Sequence, residues 1–326
     1  MNKLYKRLAA RCQSPNQLNK LHITLENRMT PLELAALRGE FITRKGNSWL
    51  WKKIIQVFFR IRRNILGKDS VVKKYISINT RELSKVWLAK LHDQYLLAAG
   101  NNAPAPFVRK RLGRAVVIYE AGGDRAGKTL VVCFSGNFQR MMMPTPVFLQ
   151  SIDANNADVV LLRTEKHKGY RTGIQELTSD LQSSLAALKI LLKFDEYRRV
   201  VTVGTSGGAM PALLSALYWQ ADACLSVSPN NPEDDRWHSF ADGEGTSGLF
   251  KHFGMGEKPP PVHIIYGENS IKDAESARVI ESTLPSVRLV PVPGAGHVAL
   301  FPLLERGELG GVLQRALFDA GLPGSD

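Results

Sequence analysis

Gly204-Thr205-Ser206-Gly207-Gly208 follows the β-branched run Val200-Val201-Thr202-Val203 and precedes Ala209–Leu217, a segment of helical composition. Strand, tight turn, helix is the order in which a serine hydroxyl is raised at the C-terminal edge of a sheet, over a helix N-terminus, to attack an acyl carbon. The glycines at 204 and 208 let such a turn pass close to its neighbours. A phosphate-binding loop would need Lys-Ser/Thr after its last glycine, and Ala209-Met210 stand there instead. A plain Gly-rich β-to-α turn uses the same residue types. Partners elsewhere in the chain must separate that reading from a nucleophile.

A serine hydroxyl needs a base, and histidine is the usual one near neutral pH. Of seven histidines, His297 has the suitable context: Val292-Pro293-Gly294-Ala295-Gly296-His297 follows a strand-like run and precedes a helical pattern. His263 opens a buried strand and reads as structural, and His22 and His92 fall in a basic zone without companion signals. His167, His238 and His252 lie in expected loops, where they could meet a substrate.

The imidazole needs a carboxylate to orient it. Asp273, after the strand that ends at Tyr266-Gly267, is the first choice, with Glu268 as its rival and Asp234 and Asp235 as outside candidates. A helix N-cap is the competing role for Asp273. The negative oxygen formed in acyl transfer needs two N–H donors. Gly207 supplies one, and Asn137 or Phe138, in the loop after Leu130–Phe134, supplies the other. An ordinary turn before a helix starting near Pro144 uses the same residues.

The elements that must position these groups alternate from about residue 112 onward. Apolar, β-rich runs fall at Ala115–Tyr119, Leu130–Phe134, Val159–Leu162, Val200–Val203, Cys224–Val227, Val262–Tyr266 and Val287–Val290. Helical patterns lie between them, with Leu181, Leu185, Leu188 and Leu192 forming one apolar stripe. Ala274–Leu284 and Val298–Leu317 read as helices too. Alternating strands and helices imply an α/β domain, a largely parallel sheet covered on both faces. Pro229–Pro261 interrupts the alternation; polar yet bearing Trp237, Phe240, Phe250 and Phe253, it reads as a lid-like or substrate-contacting insertion.

Residues 1–105 read as a basic, mainly helical extension joined by the linker Asn101–Pro106. The net charge of +13 is divided unevenly: residues 1–114 hold 24 Lys/Arg against 6 Asp/Glu, and residues 115–326 hold 19 against 24. Residues 49–66 form a basic amphipathic pattern that suits an anionic membrane surface or an acidic partner; packing on the rest of the protein is the other use of its apolar stripe. Basic residues are not interleaved with aromatics in any recognition module, so no specific nucleic-acid partner is expected. Cys12, Cys133 and Cys224 are far apart and form no metal-ligand pattern, so free thiols, and neither metal nor cofactor, are expected. No apolar run reaches the roughly 18 residues of a spanning helix, and no apolar stretch follows the basic N-terminus. The expected location is cytoplasmic, with peripheral membrane contact open to the basic zone.

The Gly204–Gly208 turn, a carboxylate near Asp273 and then Gly296-His297 together resemble the α/β-hydrolase superfamily over about residues 112–322. The resemblance implies an eight-stranded, mostly parallel sheet, fewer if edges are lost, and a serine-based acyl-transfer site. Two positions depart from its pattern. Ser270 stands where the acid often lies, and Ser135-Gly136 stands where His-Gly is common. The expected activity is a serine hydrolase cleaving an ester or related acyl bond. An acyltransferase uses the same machinery, and a scaffold working through the basic zone is the reading from another class.

Overall fold

The structure, a computed structural model of the chain, describes residues 5, 7–9, 11–12, 14–39, 80–164, 170–235, 237, 240, 244–256 and 258–319. The basic segment 49–66, His167 and His238 lie outside the described residues.

Among the described residues eight strands form one sheet: β1 (Val108–Arg111), β2 (Val116–Glu120), β3 (Thr129–Phe134), β4 (Ala157–Leu162), β5 (Arg199–Thr205), β6 (Ala223–Val227), β7 (Val262–Gly267) and β8 (Val287–Val292). Their spatial order is β1-β2-β4-β3-β5-β6-β7-β8. Strand β2 runs antiparallel to β1 and β4, and every other pairing is parallel. This is the sheet of the α/β-hydrolase fold. The seven runs expected from composition became β2 to β8. Strand β1 was not anticipated, because Val-Arg-Lys-Arg is exposed along its whole length and has no apolar alternation to betray it. An edge strand dressed with cations resists pairing with another chain. It also starts the sheet at Val108, ahead of the boundary expected at 112.

Central strands bury both faces. Along β3, Val131 and Cys133 point into one core layer and Leu130, Val132 and Phe134 into the other. The second layer is covered by α5 (Leu181–Leu191), α6 (Ala209–Trp219) and α8 (Ile271–Thr283). The stripe at Leu181, Leu185, Leu188 and Leu192 is buried there, as its spacing predicts. Helix α6 is buried from Ala209 to Leu217, which suits a helix that is apolar on all sides.

The first layer is built differently. After β3 comes only a six-residue helix, α4 (Thr145–Gln150). The rest of that face is shared between the C-terminal segment, through Leu300, Leu304, Leu313 and Leu317, and three helices from the N-terminal zone: α1 (Pro15–Glu26), α2 (Pro31–Gly39) and α3 (Thr80–Ala99). Leu18, Met29, Leu34, Leu37, Leu88, Leu91 and Tyr95 share one core with Val117, Tyr119, Val131 and Phe148. Local signals start both short helices. Ser14 Oγ accepts the Gln17 N–H, and Thr30 and Glu33 bond reciprocally as a capping box.

Between β6 and β7 the expected insertion contains α7 (Gly245–His252). Trp237, Phe250 and Phe253 are buried in the second core layer, so its aromatic residues anchor the segment to the domain. The long helix expected over Val298–Leu317 is divided into α9 (Leu300–Glu305), α10 (Leu309–Leu313) and a π turn over Gln314–Asp319. The first break lies at Gly307, whose φ of +73° a continuing helix cannot hold. Among the described residues no helix is long and apolar enough to cross a membrane.

Candidate active site

Strand β5 ends at Thr205, and Ser206–Gly208 make one 3-10 turn before α6. Ser206 has φ of +53°, a left-handed conformation that non-glycine residues seldom adopt. Such strain costs of the order of 1–3 kcal/mol and is held by what surrounds it. Here the surroundings are tight. A Cβ on Gly204 would lie 2.1 Å from Gly208 O, and one on Gly208 would lie 2.1 Å from Phe134 O. The two glycines let the turn fold onto its own strand and onto β3, which aims the Ser206 side chain out of the sheet edge.

His297 lies on the loop after β8, and its Nε2 is 2.9 Å from Ser206 Oγ. Its Nδ1 is 2.9 Å from Asp273 Oδ2 and 3.1 Å from Oδ1. With Nδ1–H donated to the carboxylate, the neutral ring leaves Nε2 to accept the serine proton. Asp273 sits in the first turn of α8 and is buried, whereas the His297 side chain is 48% exposed. The hydrogen bond to Asp273 raises the His297 pKa above the ordinary value of 6.5; partial burial opposes this, and the carboxylate's charge adds to it.

Asp273 is not the helix cap, because Ser270 occupies that position. Ser270, where the related fold often carries its acid, is too early in this chain; the carboxylate comes three residues later, on the helix. Glu268 is exposed in the turn after β7, with its N–H on Val292 O, while the imidazole Nδ1 is occupied by Asp273. Asp234 and Asp235 belong to the turn that follows β6.

Further contacts hold the histidine loop. Asn269 donates its N–H to Ala295 O at 2.9 Å, joining the loops after β7 and β8. Ser228, directly after β6, donates its hydroxyl to His297 O at 2.8 Å. Ser228 is buried and has φ of +50°. Sequence reasoning missed it; its one signal is its place after a central strand that pairs with β5.

The loop after β3 lies against the Ser206 turn. Asn137 Oδ1 is 3.0 Å from where a Gly207 Cβ would stand, and a Cβ on Gly136 would be 2.9 Å from Thr205 O. Phe138 follows with its side chain 75% exposed. Asn137 is therefore packed beside Gly207, the residue after Ser206.

The other candidate groups are elsewhere. His22 is buried, accepts or donates at Tyr5 Oη over 3.0 Å and stacks on Trp87 at 4.2 Å; burial pushes its pKa down to about 4. His92 is also buried, and His263 is in the interior of the sheet, its pKa lowered by burial and then by Arg288 and Arg315. His252 closes α7 beside Phe240 and Phe253. The thiols of Cys133 and Cys224 are buried, the latter pushed up to about 12, so neither is poised as a nucleophile. Among the described residues no group of three His, Cys, Asp or Glu side chains is placed to hold a metal ion.

No protein-family model matches the chain, and no curated protein matches it. Solved structures similar to it include an esterase from the archaeon Pyrobaculum calidifontis (11% identity, 82% of this chain and 97% of that one, TM-score 0.45). Esterase B from Lactobacillus rhamnosis is 14% identical over 73% of this chain and 94% of its own, with TM-score 0.46. A dienelactone hydrolase from Anabaena variabilis is 15% identical over 66% and 96%, with TM-score 0.45. Nothing about substrate carries over at such identities and scores. The α/β-hydrolase fold stands on the chain's own strand order, with β2 reversed and a serine turn after β5.

Proposed function

We propose that the chain is a serine hydrolase of carboxylic esters or related acyl bonds, with Ser206, His297 and Asp273 as its triad. The observation that supports this is the unbroken relay of 2.9 Å contacts from Ser206 Oγ through His297 to Asp273, starting at a positive-φ serine. In this reading His297 Nε2 takes the Ser206 proton as Oγ attacks the acyl carbon. Asp273 keeps the ring in the correct tautomer and stabilises its protonated form. The oxyanion lies against the N–H of Gly207 and a second N–H from Asn137 or Phe138. Collapse expels the alcohol, which takes the proton from Nε2. Water then adds to the acyl-serine, giving one proton to His297, and the carboxylic acid departs as the proton returns to Ser206.

A fluorophosphonate probe tests the reading directly. Wild-type protein is expected to be phosphonylated at Ser206, with loss of p-nitrophenyl ester hydrolysis, and Ser206→Ala is expected to do neither. A folded wild-type protein that resists the probe and cleaves no activated ester would overturn it.

A further inference from the structure

We infer that Asn27, in the N-terminal zone, is a positioning residue for the loop that carries the oxyanion donors. The inference rests on the proposed serine chemistry and goes beyond it. It assigns that zone a part in the reaction.

The loop runs from Ser135 to Arg140, and its two ends are held by different parts of the chain. The sheet holds the first end. Ser135 donates its N–H and its hydroxyl to Leu162 O, at 3.2 and 2.7 Å. Tyr170 Oη, buried beneath, donates to Leu162 O at 2.8 Å and lies 3.3 Å from Ser135 Oγ. A turn follows, with Gln139 N–H on Gly136 O at 2.8 Å and Gln139 at φ of +57°.

The far end is held by the C-terminus of α1. Asn27 Nδ2 donates to Phe138 O at 3.1 Å, and Glu26 pairs with Arg140 at 3.0 Å. Both anchors are themselves fixed. Glu26 also accepts the Trp87 indole N–H at 2.8 Å, and the Asn27 carbonyl accepts a guanidinium N–H from Arg163. Asn27 and Arg163 are both buried, so this bonding is shielded from water. On the other side of the loop, Thr205 Oγ1 meets Arg140 O at 3.5 Å, one residue from the nucleophile.

The consequence follows from geometry. The carbonyl that Asn27 holds belongs to Phe138 itself, one residue past Asn137, so the bond fixes the backbone that carries both N–H groups. Oxyanion stabilisation depends on donors placed before the charge forms, and one donor is worth about 10²–10³ in rate. Without Asn27 the far end would be held through Arg140, two residues beyond Phe138, which leaves those donors freer to drift. Removing Asn27 is therefore expected to act on the transition state and to leave ground-state binding alone.

The experiment compares full-length wild type, Asn27→Ala, Asn27→Asp and Asn27→Gln. Two rates are read: fluorophosphonate labelling of Ser206, and kcat and KM for p-nitrophenyl butyrate. Asn27→Ala and the near-isosteric Asn27→Asp, which lacks the donor, are expected to lose about 10- to 100-fold in kcat and in labelling rate, with KM little changed. Asn27→Gln, which keeps an amide donor, is expected to recover part of the loss. Leu34→Ala, in the same zone and core, controls for destabilisation: it lowers the melting temperature and keeps the wild-type labelling rate. Wild-type rates in folded Asn27→Asp, or a loss in Leu34→Ala equal to that in Asn27→Ala, would overturn the inference. Should Asn27→Ala fail to fold, Asn27→Asp decides alone. A wild type that is itself unlabelled refutes the serine reading, whereas a labelled wild type with an equally labelled Asn27→Asp refutes only the role of Asn27.

Discussion

Ser228 Oγ donates to the main-chain carbonyl of His297 at 2.8 Å, tying the end of β6 to the residue that faces Ser206. The bond is made by a buried serine in the left-handed region, so it holds its place against backbone strain. It also joins two loops that are 69 residues apart in sequence. Ser228→Gly keeps the backbone conformation and removes the bond. A buried hydrogen bond of this kind contributes about 1 kcal/mol, which corresponds to about a fivefold fall in kcat if the whole loss is felt at the imidazole. Steady-state kinetics on an activated ester checks this. An unchanged kcat would show that the loop is held without Ser228.

Asp273 and Glu268 are separable by the same assay. Asp273→Asn keeps the shape but favours the wrong imidazole tautomer, and a fall in kcat of about 10³–10⁴-fold is expected. Glu268→Gln changes an exposed side chain and is expected to leave kcat within about twofold. Equal losses in both variants would remove Asp273 from its proposed role.

Much of this arrangement was legible in the chain, and the gaps have physical causes. Central strands such as β3 and β4 are buried on both faces, so most of their length appears as the apolar runs Leu130–Phe134 and Val159–Leu162. Strand β1 is exposed on both and gives no such signal. Ser206 and His297 sit in turns whose glycines are visible by spacing. The carboxylate was harder, because its partner is set by how α8 leans on the loop after β8, which local sequence does not encode. The charge of the first hundred residues drew attention to surfaces, while its buried Leu34, Leu91 and Tyr95 complete the face left open by the short α4. Asn27 and Ser228 act through main-chain carbonyls of distant loops, and no spacing rule marks such residues.

The crowding at Gly204 predicts a stability effect as well as a catalytic one. A Cβ there would meet Gly208 O at 2.1 Å and Ala209 Cα at 2.7 Å, both backbone, so the turn itself would have to move. Gly204→Ala is expected to destabilise the fold by about 3 kcal/mol, at the upper end for overpacking, and to lower the melting temperature by roughly 5 °C or more. Gly310→Ala, in α10 with nothing within 4 Å of the added methyl, is expected to be neutral or slightly stabilising. Thermal melts of the two variants, side by side, give the answer. A Gly204→Ala protein as stable as wild type would mean that the turn is looser than its contacts indicate.

The pH profile tests the Asp273–His297 contact from its electrostatics. As the proposed base, His297 must be neutral to take the Ser206 proton, so activity is expected to fall on the acid side as the ring becomes charged. Its hydrogen bond to Asp273 raises the pKa above 6.5 and outweighs the opposing effect of partial burial. The acid limb of kcat/KM is therefore expected to have its midpoint above 6.5. Asp273→Asn removes both the charge and the accepting oxygen that favour the protonated ring, so the midpoint of its residual activity is expected to move down. Stability carries the opposite sign to activity. A histidine whose folded pKa is raised stabilises the fold fully below its unfolded value, near 6.5, and this contribution fades as pH climbs through the folded pKa. The melting temperature of wild type relative to Asp273→Asn should then be greatest on the acid side of that window, where catalysis is weakest. A kcat/KM midpoint at or below 6.5 in wild type, or one that Asp273→Asn leaves in place, would mean that the contact does not govern the base.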